Sequence, residues 1–222
     1  MLLRTLFSAV PFKIMVKKMK RSKIILVLLL ALFAPALTHA ATPDPTAANV
    51  VVKGFYTQLV DTMKQGNKLG YAGRVKKLSP AIKSAFNLPL MARYAVGPVW
   101  TEATPAEQQQ LVSAFSDFSV ANYASQFKAY DGEKFDIVGQ KPSPGGVIVE
   151  TKLTPKDSDP ITLDYLMKAD DQGNWRIVDV FLAGTISELA TRRAEFSSIV
   201  RRDGFPALVN SLSEKSKQMG PS

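Results

Sequence analysis

Asp179 and Tyr165 are the two side chains in this sequence best suited to move a proton, because each falls within a run of alternating apolar residues that turns one face inward. In residues 175–181 Asp179 shares the alternation with Trp175 and Ile177, so it is expected inward, where a carboxylate must be paired or hydrogen-bonded. Two readings follow for it. Either it is a structural acceptor, taking a backbone amide at the Gly184 turn or a nearby Arg, or it is a catalytic acid with Tyr165 as its partner. Asp164 alternates with the apolar positions and is expected to be exposed. Little other proton-transfer chemistry is open, since the chain has no Cys and its single His is His39. That excludes a Cys nucleophile, a Ser-His-Asp triad and the usual zinc, copper and haem ligand sets.

The elements that must position these residues are legible from periodicity. Val51, Val52, Phe55, Tyr56, Leu59, Val60 and Met63 recur at three- and four-residue spacing and predict an amphipathic helix ended by Gly66. A second helical piece carries Leu69, Tyr71, Val75 and Leu78 before Ser79-Pro80 opens the next, and residues 81–96 read as a short helix, a turn near Pro89 and another short helix. Thr104-Pro105-Ala106-Glu107 is a capping box with proline at the first helical position. It starts a long helix whose apolar and aromatic residues, Leu111 to Tyr130, occupy most of its circumference. The period then changes to two, over Phe135 and Ile137, over 147–153, over 161–167 and over 175–181, giving four strands joined by short breaks and therefore antiparallel. Thr185 with Glu188 reads as a second capping box, starting a helix that Gly204 stops before a last one over 205–217. The predicted fold class is α+β: a four-stranded antiparallel sheet covered by several helices.

The N-terminal region has a different character. The basic cluster Lys17, Lys18, Lys20, Arg21, Lys23 precedes an apolar stretch over residues 24–37, and Thr38 and Ala40 supply the small residues of a cleavage site. These are the three parts of a secretory signal peptide, with an apolar stretch too short for the ~20 residues a membrane span needs. Residues 1–40 are expected to be removed, leaving a single domain over 41–222 in the periplasm. Residues 1–16 lie upstream of the basic cluster, and Met15 or Met19 is a more usual start. The leader holds seven of the 28 Lys and Arg and no acid, which leaves 21 basic against 19 acidic residues afterwards. A balance of +2 has no electrostatic footprint for nucleic acid. Arg192, Arg193, Arg201 and Arg202 form a local basic group with two readings, a solvated face by default or a contact for an anionic headgroup.

Three ordered blocks resemble a known family. Residues 88–97, Leu-Pro-Leu-Met-Ala-Arg-Tyr-Ala-Val-Gly, followed by Trp100 and the capping box, look like the MlaC family of periplasmic lipid carriers, as does Trp175-Arg176-Ile177-Val178-Asp179-Val180 with Gly184. Residues 184–196 more closely resemble the hopanoid-associated HpnM branch, with Ser187 three residues after Gly184 rather than two. The resemblance implies a cone-like fold related to nuclear transport factor 2 with a deep apolar pocket, no metal or organic cofactor, and a role ferrying lipid between an outer-membrane complex and an inner-membrane ABC transporter. The cargo it implies is a hopanoid first and a phospholipid second.

Such a cargo needs shielding: each buried methylene contributes ~0.8 kcal/mol, so a lipid with about thirty costs on the order of 20 kcal/mol to carry bare through water. The residues in excess of an ordinary core are the candidate pocket lining: Phe86, Leu90, Met91, Tyr94, Trp100, Phe115, Phe118, Tyr123, Phe127, Tyr165, Trp175 and Phe181. Taken singly, each is also a normal core residue. Three functions stay open from sequence: a lipid carrier, a small-molecule enzyme using Asp179 and Tyr165, and a structural adaptor with a filled core.

Overall fold

The computed structural model describes residues 44–220, so the expected leader lies outside the described residues. Among the described residues no helix is long and apolar enough to cross a membrane. Four helices come first. α1 (Thr46–Lys64) buries Val52, Phe55, Tyr56, Leu59 and Met63, the stripe its spacing predicts. α2 (Gly66–Ala85) follows after one residue and runs through Ser79-Pro80, where the sequence suggested a boundary. Pro80 removes one N–H from the ladder, but Leu78 and Ile82 on either side are fully buried and hold the helix together. The real break is Gly70, at φ 59°, a conformation that glycine adopts without steric cost. α3 (Leu88–Val96) is capped by the Asn87 side chain, which accepts from Leu90 N at 3.1 Å. A 3₁₀ turn (Gly97–Glu102) leads to α4 (Pro105–Gln126), whose capping box forms as expected, Thr104 N donating to Glu107 Oε2 at 2.8 Å. α4 ends before Tyr130, which is exposed.

The sheet has five strands, one more than expected, in the order β1 (Lys134–Ser143), β2 (Gly146–Thr154), β3 (Ile161–Ala169), β4 (Trp175–Leu182) and β5 (Ile186–Ser187), every neighbour antiparallel. The extra strand is two residues long. It pairs Ile186 with Leu182 and Ser187 with Phe181, so Thr185 is not a helix cap. Ser187 takes that role, its Oγ accepting from Ala190 N at 2.9 Å at the start of α5 (Glu188–Asp203). α6 (Phe205–Gln218) closes the chain. One core, including Leu59, Ile82, Phe115, Met167, Ile177, Phe196 and Leu208, joins the sheet to the helices.

A bulge in β4 decides which residues face that core. The register of β3 with β4 shifts between Leu166 and Met167, which pair with Asp179 and Ile177, leaving Val178 as the additional residue. Cross-strand partners share a face, and one extra residue inverts the alternation beyond it. Trp175 and Ile177 therefore face the helices with Ala169 and Met167, while Val180 and Leu182 take over that face opposite Tyr165 and Leu163. Asp179 and Phe181, expected inward, lie on the opposite face with Leu166 and Asp164. Asp164, expected exposed, is buried there. The turn after β4 folds back over it: Ala183 N donates to Thr162 O at 3.0 Å, and Thr151 N donates to Asp164 Oδ1 at 3.3 Å.

Candidate lipid-binding cavity

The cavity starts from α4. Phe115, Phe118, Ser119, Asn122, Tyr123 and Gln126 recur at three- and four-residue spacing and form one wall, continued by Phe127 just past the helix end. Leu88 and Met91 of α3, with Ile82 and Phe86 from the end of α2, form a second wall. Leu163 and Tyr165 of β3 and Val180 and Leu182 of β4 make the floor, and Glu188, Leu189 and Arg192 of α5 close the side. The cavity volume is about 210 Å³, and the cavity is open on one side. A wider, more open groove of about 610 Å³ lies between α1 and β1, where Tyr56, Val60, Phe135 and Ile137 form an apolar floor edged by Lys53, Asp61, Lys64 and Asp136.

Rings give the cavity its shape. Phe86 is drawn to the sheet by a bridge to Ile177, and Asn87 N donates to Ile177 O at 2.9 Å. Tyr123 lies 5.7 Å from Phe86 and stacks on Phe127, also at 5.7 Å. Phe55 of α1 supports both from behind, edge-on to Phe86 at 5.2 Å and to Tyr123 at 5.3 Å. Beneath the floor Tyr56 sits 5.8 Å from Tyr165 and is hydrogen-bonded to Thr151 at 2.7 Å. The Thr151 hydroxyl donates to Leu163 O, so its single proton is used and Tyr56 is the donor between them. Burial pushes the Tyr56 hydroxyl up to about 12, and burial likewise raises Tyr123 and Tyr165 above their ordinary value. All three remain neutral donors across physiological pH.

Seven of the twelve predicted lining residues meet here: Phe86, Met91, Phe115, Phe118, Tyr123, Phe127 and Tyr165. The other five are placed elsewhere. Leu90 is half-buried beside the α3 cap. Tyr94 lies under the Lys168 ammonium, 5.9 Å from its ring centre. Trp100 is on the 3₁₀ turn. Trp175 is buried against the start of α1, its Nε1 donating to Asp44 O at 2.8 Å. Phe181 is on the far face of the sheet, where the bulge puts it. The acid–base pair fails for the same reason. Asp179 and Tyr165 lie on opposite faces, and Asp179 accepts from Ser187 Oγ at 2.5 Å, Val180 N at 2.8 Å and Leu189 N at 3.2 Å. It is a structural acceptor that ties the start of α5 to β4, with its amide partner at Leu189 rather than at the Gly184 turn.

Sequence reasoning missed the polar rim. Ser119, Asn122, Gln126, Glu188 and Arg192 surround the mouth, and Arg192, expected among solvated arginines, bonds Glu188 at 3.2 Å and lies 4.9 Å from the Phe118 ring centre. Arg193 instead donates to Tyr94 O at 2.9 Å, and Arg202 pairs with Asp203. The signal available was the helical spacing of Glu188 and Arg192, four residues apart.

An apolar, ring-lined interior beneath a polar and charged rim can shelter the apolar part of an amphiphile, and the α+β fold with this cavity defines a pocket protein of that class. The comparisons agree: the sequence model of the family described as MlaC protein matches residues 53–214, and the chain belongs to that family. Among solved structures, the phospholipid-binding protein from Ralstonia solanacearum, in complex with a phospholipid, shares the fold with a TM-score of 0.65 and 22% identity, the match covering 78% of this chain and 98% of that one.

Proposed function

We propose that this protein is a periplasmic lipid carrier that holds the apolar part of a membrane lipid in the cavity between α3, α4 and the sheet. The observation that carries the reading is the cavity itself, where aromatic and aliphatic side chains from six elements converge on about 210 Å³ of space. Family membership and the phospholipid held by the Ralstonia protein support it. Ligand pockets hold roughly 300–1,000 Å³, so a lipid enters by widening this one. α4 packs on α2, α3 and α6, while α5 packs on α3 and α6, and the gap between α4 and α5 is the natural place to widen.

The leader-like residues 1–40 support a periplasmic location, and exchange with an inner-membrane ABC transporter and an outer-membrane complex is the partner arrangement the family resemblance implies. The likeness of residues 184–196 to the HpnM branch puts a hopanoid among the cargo candidates beside phospholipid. Native and denaturing mass spectrometry of the chain from residue 41, purified from the periplasm of its own host with a solvent extract alongside, tests the reading. A stoichiometric lipid released on denaturation names the cargo. An empty protein that also takes up no added lipid refutes the carrier.

A further inference from the structure

The rim carries a charged pair that sheltering acyl chains does not require. Arg192 reaches from α5 towards α4, its guanidinium carbon 4.9 Å from the centre of the Phe118 ring, and its Nη2 donates to Glu188 Oε2 at 3.2 Å. Both side chains line the cavity and both are reached by solvent, at 23% and 32% exposure. The pair is therefore at the mouth, where a lipid headgroup emerges when its chains are inside. An exposed i,i+4 pair is weak enough for a ligand to open. Opening it frees one cation and one anion a few ångströms apart. The guanidinium fork suits two phosphate oxygens, with its stack on Phe118 fixing the plane. The Glu188 carboxylate, on the first residue of α5, suits an N–H-bearing cation.

A headgroup with both charges satisfies both partners. One with only a phosphate occupies Arg192 and leaves Glu188 facing an anion. On the carrier reading above, we infer that Arg192 and Glu188 form a two-point reader for a zwitterionic phosphate–ammonium headgroup, phosphate on Arg192 and primary ammonium on Glu188. The pocket then selects a phosphoethanolamine lipid over a phosphoglycerol lipid with the same chains. Ser119, Asn122 and Gln126 complete the rim, with Gln126 Nε2 donating to Asn122 Oδ1 at 2.8 Å, and add no charge that would reverse the preference.

The test loads delipidated full-length mature protein from vesicles holding equal amounts of dioleoyl phosphatidylethanolamine and dioleoyl phosphatidylglycerol, then quantifies the bound lipids by extraction and mass spectrometry. The expected result for the wild type is a roughly two- to fivefold excess of the ethanolamine lipid, the upper part of the range that gaining or losing one solvent-exposed charge pair supplies. Glu188→Gln removes the ammonium partner and brings the ratio to parity or in favour of the glycerol lipid. Arg192→Gln lowers uptake of both while thermal unfolding stays near wild type. A wild type that takes both lipids in vesicle proportion, or a Glu188→Gln variant with an unchanged ratio, overturns the reader while leaving the carrier standing. A wild type that takes up neither lipid also overturns the reader, and the carrier reading is then decided by the native mass spectrometry above, where a bound hopanoid sustains it and an empty protein refutes it. Inorganic phosphate in large excess is expected to leave bound lipid in place. Displacement by phosphate alone would reassign the rim to free anions and overturn the proposal.

Discussion

Replacing Asp179 by alanine removes one acceptor from three donors at once: Ser187 Oγ, Val180 N and Leu189 N. Asp179 is 8% exposed, so water does not replace what is lost. A hydrogen bond to a charged group contributes about 1.5–3 kcal/mol, and an unsatisfied buried donor costs about 1–3 kcal/mol. These three share one carboxylate and do not add fully, which puts the loss at about 3–4 kcal/mol. For a domain of this size each kcal/mol moves the midpoint by roughly 2–4 °C, so Asp179→Ala is expected to melt on the order of 10 °C below wild type. Asp179→Asn keeps one acceptor oxygen and is expected to lose about half as much. Differential scanning calorimetry measures both, with lipid content of the folded asparagine variant determined in parallel. Because Asp179 faces away from the cavity, lipid content per folded molecule stays at the wild-type value. An alanine variant that melts within ~2 °C of wild type would refute the packing argument. An asparagine variant of full stability that holds no lipid would show that Asp179 acts in the pocket after all.

Stability should fall in alkali as pH rises from 10 towards 12. Tyr56 has its folded-state value raised to about 12 against an ordinary 10, so its contribution is complete below 10 and is lost as the pH climbs through the folded value. The loss is read as a lower urea midpoint at pH 11 than at pH 9 and is blunted in Tyr56→Phe. Gly146→Ala would bring a Cβ to within 2.0 Å of Met167 O, prising β2 from β3, and a loss of about 1–3 kcal/mol in urea unfolding is expected. Leu163→Phe fills the cavity floor without adding a polar group, so lipid uptake from vesicles should fall several-fold while the melting temperature holds. Ser187→Ala removes the α5 cap and one Asp179 partner, with about 1–2 kcal/mol lost to thermal unfolding.

The elements themselves were legible because their signals are local. The α1 stripe, the Thr104 capping box and the alternation through β2 and β3 each fix a segment without reference to the rest of the chain. Pro80 and Thr185 misled because tertiary contacts overrode a local rule: buried neighbours carry α2 through the proline, and pairing with β4 draws Ile186 and Ser187 into a strand before the helix can start. The inversion in β4 is of another kind. Trp175, Ile177, Asp179 and Phe181 alternate in sequence as an uninterrupted strand would, and only the pairing partner across the ladder reveals Val178 as the extra residue. One undetected residue misplaced both Asp179 and Phe181, and with them the acid–base pair.

The site was legible in its apolar half and not in its polar half, for a physical reason. Aromatic residues on a crowded helix must be buried somewhere, so Phe115, Phe118, Tyr123 and Phe127 pointed to the interior from composition alone. A charged residue on a helix is satisfied by water in most positions, and its sequence spacing is the same whether it faces solvent or a cavity mouth. What separates Arg192 from Arg201 and Arg202 is the neighbour it meets, the Phe118 ring, contributed by a helix some seventy positions earlier in the chain. The same distinction separates the two halves energetically. On the carrier reading, burial of the chains supplies most of the free energy of holding a lipid and is indifferent to its headgroup, whereas the rim would contribute little affinity and tell one headgroup from another. Selectivity in such a carrier therefore rests on side chains whose loss would hardly be noticed in a stability measurement, and competition between matched lipids is the assay that reveals them.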